Sequence, residues 1–168
     1  MTQKKLFVDL EYCYGCQACE VACKQEHNVP VGIKRMNVVK VGPKMVGGKL
    51  EMDFVPMRCL HCTKAPCINA CPEDAIVKRS DGIVLINDEL CIGCMNCLEA
   101  CPFGVIQMNP ENGLAEKCNL CVDRVDSGLQ PACVSVCPAK CIYFGDINEI
   151  MTAIQGKAAK RMAETVVL

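Results

Sequence analysis

Large aromatic side chains and long apolar runs are nearly missing from this chain of 168 residues. Tryptophan is absent, and phenylalanine and tyrosine together make up only 4% of the residues. Rings usually supply much of the buried volume of a domain, so other side chains must fill this interior. The apolar runs are only a few residues long, which argues against a helix that crosses a membrane.

A strong net charge is also lacking, since 18 lysines and arginines face 19 aspartates and glutamates. This balance offers no basic surface for nucleic acid, which we do not expect as a partner. The first eleven residues contain neither the apolar core of a signal peptide nor a twin-arginine pair. We therefore expect a cytoplasmic protein without direct membrane insertion, whose cysteines are reduced rather than paired in disulfides.

Cysteine, in contrast, is abundant: the chain has 17, and 16 of them fall into four groups of four. The groups are Cys13, Cys16, Cys19 and Cys23; Cys59, Cys62, Cys67 and Cys71; Cys91, Cys94, Cys97 and Cys101; and Cys118, Cys121, Cys133 and Cys137. Groups one and three have the spacing C-x2-C-x2-C-x3-C, and groups two to four each end in Cys-Pro. Cysteine at this density is typical of disulfide frameworks or metal-cluster proteins.

The spacing of these groups is the one that bacterial ferredoxins use for cubane iron–sulfur clusters. Three thiolates placed two residues apart reach one cluster only if the backbone forms a tight loop, with its amides turned towards the sulfurs. Gly15 and Gly93 permit such a loop because they lack a Cβ atom. The rival interpretation is zinc in all-cysteine sites. Zinc sites usually pair two distant C-x2-C knuckles, however, so the spacing favours iron–sulfur clusters.

Short strands and turns are predicted between the groups. Residues 75–77 and 83–86 flank a Ser-Asp-Gly turn and predict a hairpin. Residues 36–41 and 50–55 flank glycine-containing turns and predict an added β-hairpin.

A helix is predicted at the end of the chain. Asp146 and Glu149 form a capping signal, and apolar residues then recur at helical spacing. They are Ile147, Ile150, Met151 and Ile154. Gly156 is expected to interrupt this helix.

The chain resembles the four-cluster ferredoxin family in the order of its cysteine groups and in their Cys-Pro endings. Two segments are especially similar to that family: residues 59–67 (CLHCTKAPC) and residues 117–121 (KCNLC). Its members are the electron-transfer subunits of dimethyl-sulfoxide reductase, formate dehydrogenase, formate-hydrogenlyase and carbon-monoxide dehydrogenase systems. The resemblance covers residues 5–146. One departure is Lys24, which stands where a simple ferredoxin has the proline after its last ligand; this affects the turn rather than ligation.

The resemblance implies an α+β fold of two ferredoxin-like two-cluster modules in nested order. Residues 1–28 and 110–146 would form the outer module and residues 56–109 the inner one. Residues 29–55 would be the inserted β-hairpin, and residues 147–168 a C-terminal helical tail.

The resemblance also implies four [4Fe-4S] clusters in which the fourth cysteine of each group serves the other cluster of its module. The ligand sets would be Cys13, Cys16, Cys19 and Cys137; Cys118, Cys121, Cys133 and Cys23; Cys59, Cys62, Cys67 and Cys101; and Cys91, Cys94, Cys97 and Cys71. With purely local ligation the same 16 residues would still be the ligands.

The implied function is one-electron transfer between a catalytic subunit and an acceptor or a second enzyme. The resemblance favours a molybdenum- or tungsten-pterin partner of the formate or aldehyde type, in anaerobic metabolism. The alternatives are a hydrogenase or carbon-monoxide dehydrogenase partner, a free polyferredoxin, self-association into a longer electron-conducting wire, and a zinc-structured interaction module. Four thiolates on each cluster leave no open position for a substrate, so we expect no enzyme activity from the chain alone.

Several residues near the ligands have competing interpretations. Cys141 aligns with Ala75 and Val105 of the earlier Cys-Pro endings, which predicts a buried core thiol. We expect His61 to be a partly exposed loop residue rather than a hydrogen-bond donor to a cluster, and His27 to be a surface residue. Three cations lie close to ligands in the sequence: Lys64, Lys117 and Arg124. For each of them, a role beside a cluster and an ordinary solvated position are equally compatible with the sequence.

Overall fold

The computed structural model describes residues 3–166, and within them the chain forms eight strands, six α-helices and one short 3-10 helix (Leu10–Tyr12). The strands are β1 (Lys5–Val8), β2 (Met36–Val46), β3 (Lys49–Arg58), β4 (Ile76–Lys78), β5 (Val84–Ile86), β6 (Gln107–Met108), β7 (Ala115–Glu116) and β8 (Ile142–Gly145). The helices are α1 (Ala18–Glu26), α2 (Pro66–Asn69), α3 (Asn96–Glu99), α4 (Val122–Asp126), α5 (Ala132–Ser135) and α6 (Ile147–Val166). The strands form four antiparallel pairs, which confirms the predicted α+β class.

The two ends of the cysteine-rich region meet in one sheet. β1 pairs with β8, with Lys5 opposite Gly145 and Val8 opposite Ile142, and α1 packs against α5. Between these elements, β4 pairs with β5 and β6 with β7, and α2 packs against α3. The pairing has the predicted nested order. We call the part with β1, β8, α1, α4 and α5 the outer half, and the part with β4 to β7, α2 and α3 the inner half.

The hairpin of β6 and β7 joins the two halves. Its turn contains residue 110, the predicted boundary between the modules, and β7 returns to pair with β6. Ala115 of β7 is buried against residues of the inner half, among them Ile76 and Val84. The chain then leaves the inner half and enters group four.

The short helices end where proline dictates. α2, α3 and α5 each span four residues, and each is followed two residues later by a cysteine that precedes proline. Proline disfavours the helical conformation of the residue before it, so these helices stop early. Lys24 replaces that proline in group one, and α1 accordingly continues past Cys23 to Glu26.

The predicted β-hairpin is present and is longer than the sequence indicated. β2 and β3 pair from Met36 opposite Arg58 at the base to Val46 opposite Lys49 at the tip. Gly47 and Gly48 make the two-residue connection, both with positive φ, as a tight hairpin turn requires. Only the base of the hairpin is buried, so most of it projects from the two halves.

Sulfur and small aliphatic side chains take the place of rings in the core. One buried cluster, where the base of the β2–β3 hairpin packs on the outer half, combines four cysteines with Met36, Val38 and Ile142. A second, in the inner half, combines two buried cysteines with alanine, valine and isoleucine side chains. The interior is therefore built around the predicted ligands, as the lack of aromatic residues suggested.

The C-terminal helix begins at the predicted cap. The Glu149 amide donates to Asp146 Oδ1 at 2.9 Å, and the Asp146 amide donates to Glu149 Oε2 at 2.8 Å, which is a capping box. The expected interruption at Gly156 is wrong, because α6 continues through it. Glycine costs a helix only about 1 kcal/mol, and strong helix formers follow it. In the described part of the chain, no helix combines the length and the apolarity that crossing a membrane needs.

Candidate metal centres

Groups one and three fold into the same loop. Gly15 and Gly93 have φ of +72° and +68°, and Gln17 and Met95 have φ of +62° and +64°. These left-handed residues curl the backbone from the first to the third cysteine, with the glycine before the second cysteine and the other residue directly after it. A side chain at position 93 would collide with the carbonyl oxygen of Gly113, so glycine is required there by a close contact as well as by its φ.

Groups two and four point backbone amides at sulfur. The His61 amide donates to Cys59 Sγ at 3.4 Å, and the Leu120 amide donates to Cys118 Sγ at 3.4 Å. Both donors have positive φ, of 46° and 57°. An N–H group directed at a thiolate stabilises its negative charge, so these two loops are preorganised for metal-bound sulfur.

Three cavities bring together cysteines from different groups. One is lined by Cys59, Cys62, Cys67 and Cys101. A second is lined by Cys71, Cys91, Cys94 and Cys97. A third is lined by Cys13, Cys16, Cys19 and Cys137, with Cys141 beside them. Each cavity joins three cysteines of one group to the last cysteine of another, in the combinations that the crossing rule predicts.

The fourth predicted set is the most deeply buried. Cys23, Cys118, Cys121 and Cys133 are all buried. Burial, followed by the neighbouring sulfurs of Cys118 and Cys121, raises the pKa of Cys23 to about 12. The same two causes raise the pKa of Cys133. Thiolates crowded in this way need a nearby positive charge to form, which bound iron supplies.

The arrangement of the sulfurs suits a cluster rather than a single ion. Among residues 3–166, no three histidine, cysteine or acidic side chains converge closely enough to hold one metal ion. A zinc site would need four sulfurs about 2.3 Å from a common point. Here the sulfurs surround cavities instead, so the residues present fit cubane clusters. The zinc interpretation is not favoured by this geometry.

The four cysteine sets follow one another through the molecule. Cys59 of the inner half and Cys118 of the outer half pack in one apolar cluster with Ile83 and Leu120. The set containing Cys59 and the set containing Cys118 are therefore the central sets. The other two lie at the ends, and each has one exposed cysteine, Cys16 or Cys94.

His61 does not occupy the partly exposed position that was expected. Its side chain is only 1% exposed, and its Nδ1 accepts a hydrogen bond from the Val84 amide at 2.9 Å. Burial and the neighbouring Lys117 lower the pKa of His61 to about 2, so the ring is neutral and carries its proton on Nε2. The expectation failed because Val84 and Lys117, which cover the ring, are distant in sequence.

His27 was expected at the surface and is instead in contact with a predicted ligand. Its Nε2 lies 3.2 Å from Cys121 Sγ, a residue 94 positions away. Burial lowers the pKa of His27, so Nε2 of the neutral ring can donate its proton to the sulfur. Both histidines of the chain therefore lie at the central cysteine sets.

The cations near ligands have different environments. Lys64 is exposed, and Arg124 pairs with Glu26 at 3.2 Å near the surface. Lys117, by contrast, is only 4% exposed. Arg58 is also buried, and its role was not predicted from the sequence. A usable signal was present, since Arg58 and Lys117 each stand immediately before a C-x2-C pair.

Cys141 is the buried thiol that the repeat predicted. It is 2% exposed, and its Sγ lies 3.6 Å from Cys137 Sγ. Burial and this contact raise the pKa of Cys141 to about 12. Cys141 therefore stays protonated beside a predicted ligand.

Known proteins resemble this chain over most of its length. Residues 50–147 match a family model described as a 4Fe-4S dicluster domain, and residues 12–76 match another of the same description. The electron transfer subunit of thiosulfate reductase from Salmonella typhi is 45% identical over 143 residues, which cover 84% of this chain and 74% of that protein. The B subunit of polysulfide reductase from Wolinella succinogenes is 37% identical over 155 residues, which cover 91% and 81%.

A formate dehydrogenase relative matches even more of the chain. The iron-sulfur subunit of formate dehydrogenase from Wolinella succinogenes is 35% identical over 184 aligned positions, which cover 96% of this chain and 90% of the relative. These matches agree with the short hairpins and helices of the fold and with its four groups of cysteines. The chain belongs to the 4Fe-4S dicluster family of ferredoxin-type electron-transfer subunits, carries four [4Fe-4S] clusters and is not itself catalytic.

Proposed function

We propose that this chain conducts single electrons between a molybdenum- or tungsten-pterin catalytic subunit and an acceptor or second redox enzyme. Each [4Fe-4S] cluster supplies one-electron chemistry when bound. The chain's own residues hold the clusters in sequence, exclude water from the central sets and leave the end sets near the surface. The observation that carries the proposal is the set of three cavities, each lined by three cysteines of one group and one of another.

We also propose that 16 cysteines are the ligands and that they are divided by the crossing rule. The sets are Cys13, Cys16, Cys19 and Cys137; Cys23, Cys118, Cys121 and Cys133; Cys59, Cys62, Cys67 and Cys101; and Cys71, Cys91, Cys94 and Cys97. The cavity linings support the first, third and fourth of these sets. Mutual proximity in the buried interior of the outer half supports the second. The outer module of residues 1–28 and 110–146 and the inner module of residues 56–109 each receive two clusters in this scheme.

Partners are proposed to dock at the two ends. Cys16 and Cys94 are exposed, and so are the neighbouring apolar side chains of Tyr14 and Ile92, at 57% and 63%. Exposed apolar residues beside a redox centre suit a contact that brings a second centre close. One end would face the catalytic subunit, and the other would face the acceptor or a second copy of the chain.

The catalytic partner is proposed from the relatives. Their names refer to thiosulfate reductase, polysulfide reductase and formate dehydrogenase, so formate or an inorganic sulfur compound is the proposed substrate of the partner. We propose that the chain works in the cytoplasm, because its 16 ligand thiols must remain reduced until iron is loaded. Fractionation of cells with an antibody to the chain tests this location, and recovery outside the cytoplasmic fraction would contradict it.

Iron counting in single and double variants tests the ligand division. Anaerobically loaded protein is expected to hold about 16 iron atoms, and Cys101→Ala about 12. Combining Cys101→Ala with Cys59→Ala should lose no further iron, because both remove ligands of one cluster. Combining it with Cys91→Ala should leave about 8. If instead the double variant with Cys59→Ala holds about 8 iron atoms and the one with Cys91→Ala about 12, ligation is local and the crossing rule is refuted.

Electron transfer itself is tested with the native complex. The chain is isolated with its bound partner, and the partner is sequenced and assayed with formate, thiosulfate and polysulfide. Substrate oxidation should bleach the clusters of this chain, or substrate reduction should recolour them, at a rate that matches turnover. Loss of iron from an end set through Cys94→Ala should abolish electron delivery while leaving a dye-linked assay of the catalytic subunit unchanged. An unchanged rate of delivery would refute the proposal.

A further inference from the structure

Two positive charges are buried between the halves without a carboxylate partner. Arg58 is 9% exposed and Lys117 is 4% exposed. Within residues 3–166, neither is within 4.0 Å of an aspartate or glutamate oxygen, although eight other basic–acidic contacts of that kind occur. A buried cation without an anion is strongly destabilising. The fold must therefore supply an anion of another kind.

Each cation donates a hydrogen bond to a backbone carbonyl across the junction, and each also donates to a carbonyl close to it in sequence. Arg58 ends β3, immediately before the inner half, and its Nη2 donates to the Leu6 carbonyl of β1 in the outer half. Lys117 precedes group four of the outer half, and its Nζ donates to the Val84 carbonyl of β5 in the inner half. The two side chains thus reach across in opposite directions. Carbonyl dipoles orient these cations, but they do not neutralise them.

The nearest candidates for the missing anions are the central cysteine sets. Arg58 and Lys117 directly precede Cys59 and Cys118, the first cysteines of groups two and four. Lys117 Nζ also donates to the Cys118 carbonyl at 3.1 Å. Arg58 Nε is buried and has no hydrogen-bond partner among the described residues. Because a [4Fe-4S] cluster with four thiolates is an anion, its presence would supply the charge that these cations lack.

Further donors surround the same place. Lys5 Nζ donates to the His61 carbonyl at 2.7 Å, and Lys78 Nζ donates to the Cys62 carbonyl at 2.6 Å. The buried Nε2 of His61 has no partner among the described residues. The end set of the inner half differs in its charge: an acidic residue, Glu73, lines its cavity, whereas the cavity of the central set in that half has no acidic residue in its described lining. Positive charge is therefore concentrated at the central sets.

We propose that Arg58 and Lys117 act as positioning residues that hold the two central clusters at higher reduction potentials than the end clusters. Reduction adds one negative charge to a cluster, and a buried cation at short range stabilises that extra charge more than it stabilises the oxidised state. Electrons then reside preferentially on the two clusters at the junction of the halves. Electrons leave towards either end when a partner withdraws them.

The proposal rests on the ligand division proposed above, and it is tested by potentials rather than by activity. Arg58→Gln and Lys117→Met remove one buried charge each, and Lys64→Met removes an exposed one near group two as the matched control. The isolated complex of each variant is titrated anaerobically with reductant and followed by electron paramagnetic resonance, after its iron content is measured. At the wild-type midpoint, each buried-charge variant should show at least a tenfold fall in the reduced-to-oxidised ratio of a central cluster, which is about 59 mV for one electron. Lys64→Met should change every ratio less than threefold.

The outcomes separate this inference from the ligand assignment. Fully loaded Arg58→Gln and Lys117→Met variants with four unchanged potentials would overturn the inference and leave the ligands intact, as would equal shifts in all four clusters. A shift in Lys64→Met as large as in Arg58→Gln would also overturn it. If neither neutral variant holds iron, the charge-conserving variants Arg58→Lys and Lys117→Arg test whether a positive charge is what these positions require. Full iron content with near-native potentials in these variants supports a requirement for charge, and loss of iron from them refutes it.

Discussion

The contact between His27 and Cys121 leads to a quantitative prediction about one central cluster. His27→Phe removes a donor whose Nε2 lies 3.2 Å from Cys121 Sγ. A hydrogen bond to a charged group contributes about 1.5–3 kcal/mol. Only the part that strengthens on reduction affects the potential, and His27 is partly exposed to water. Taking about 1 kcal/mol for that part predicts a fall of roughly 40 mV for one electron.

The assay is a potentiometric titration of the native complex under anaerobic conditions, with iron content measured in parallel. His27→Gln is the control, because its amide can still donate to the sulfur, and its shift should be less than half of that in His27→Phe. Both variants should retain about 16 iron atoms. A fully loaded His27→Phe variant whose four potentials equal those of the wild type would refute the reasoning. The hydrogen bond from His27 to Cys121 Sγ would then not stabilise the reduced cluster.

Three further predictions concern cofactor loading and stability. Cys141→Ala should keep about 16 iron atoms by iron analysis, because this thiol is buried beside Cys137 and lies outside the 16 cysteines that we propose as ligands; loss of a cluster would identify Cys141 as a ligand. Gly93→Ala should lose about four iron atoms, because its Cβ would collide with Gly113, and retention of all four would show that the loop can move. Gly156→Ala, within α6 and with open space around it, should raise helix stability by about 1 kcal/mol; chemical denaturation of the loaded protein measures this, and unchanged stability would contradict it.

Local patterns were sufficient to predict most of the secondary structure. The hairpin of β2 and β3 follows from the glycine-containing turns between its two segments, and the start of α6 follows from the Asp146–Glu149 cap. Both signals act over a few residues, so they can be read without knowing the fold. The length of α1 also had a local cause, in the replacement of proline by Lys24. The continuation of α6 through Gly156 was missed because a single glycine weakens a helix without ending it.

The environments of individual polar residues could not be predicted in the same way. His61 was expected to be partly exposed and His27 to lie at the surface, yet the partners of both rings come from distant segments: Val84 for one and Cys121 for the other. Arg58 and Lys117 are buried because strands of the opposite half cover them. Burial of this kind depends on contacts between residues remote in sequence, and hydrophobic periodicity carries no information about them.

The chemistry of the protein follows from its cysteine spacing alone. Sixteen cysteines in four spaced groups predict cubane clusters, because ligand spacing along one loop sets which metal centres it can surround. Folding, in turn, selects which cysteines share a cavity, which sets lie at the centre and which cations are buried beside them. The type of metal centre can be predicted from the sequence because ligand identity is a property of short segments. Electrostatic environment, in contrast, is a sum over every group that folding brings near.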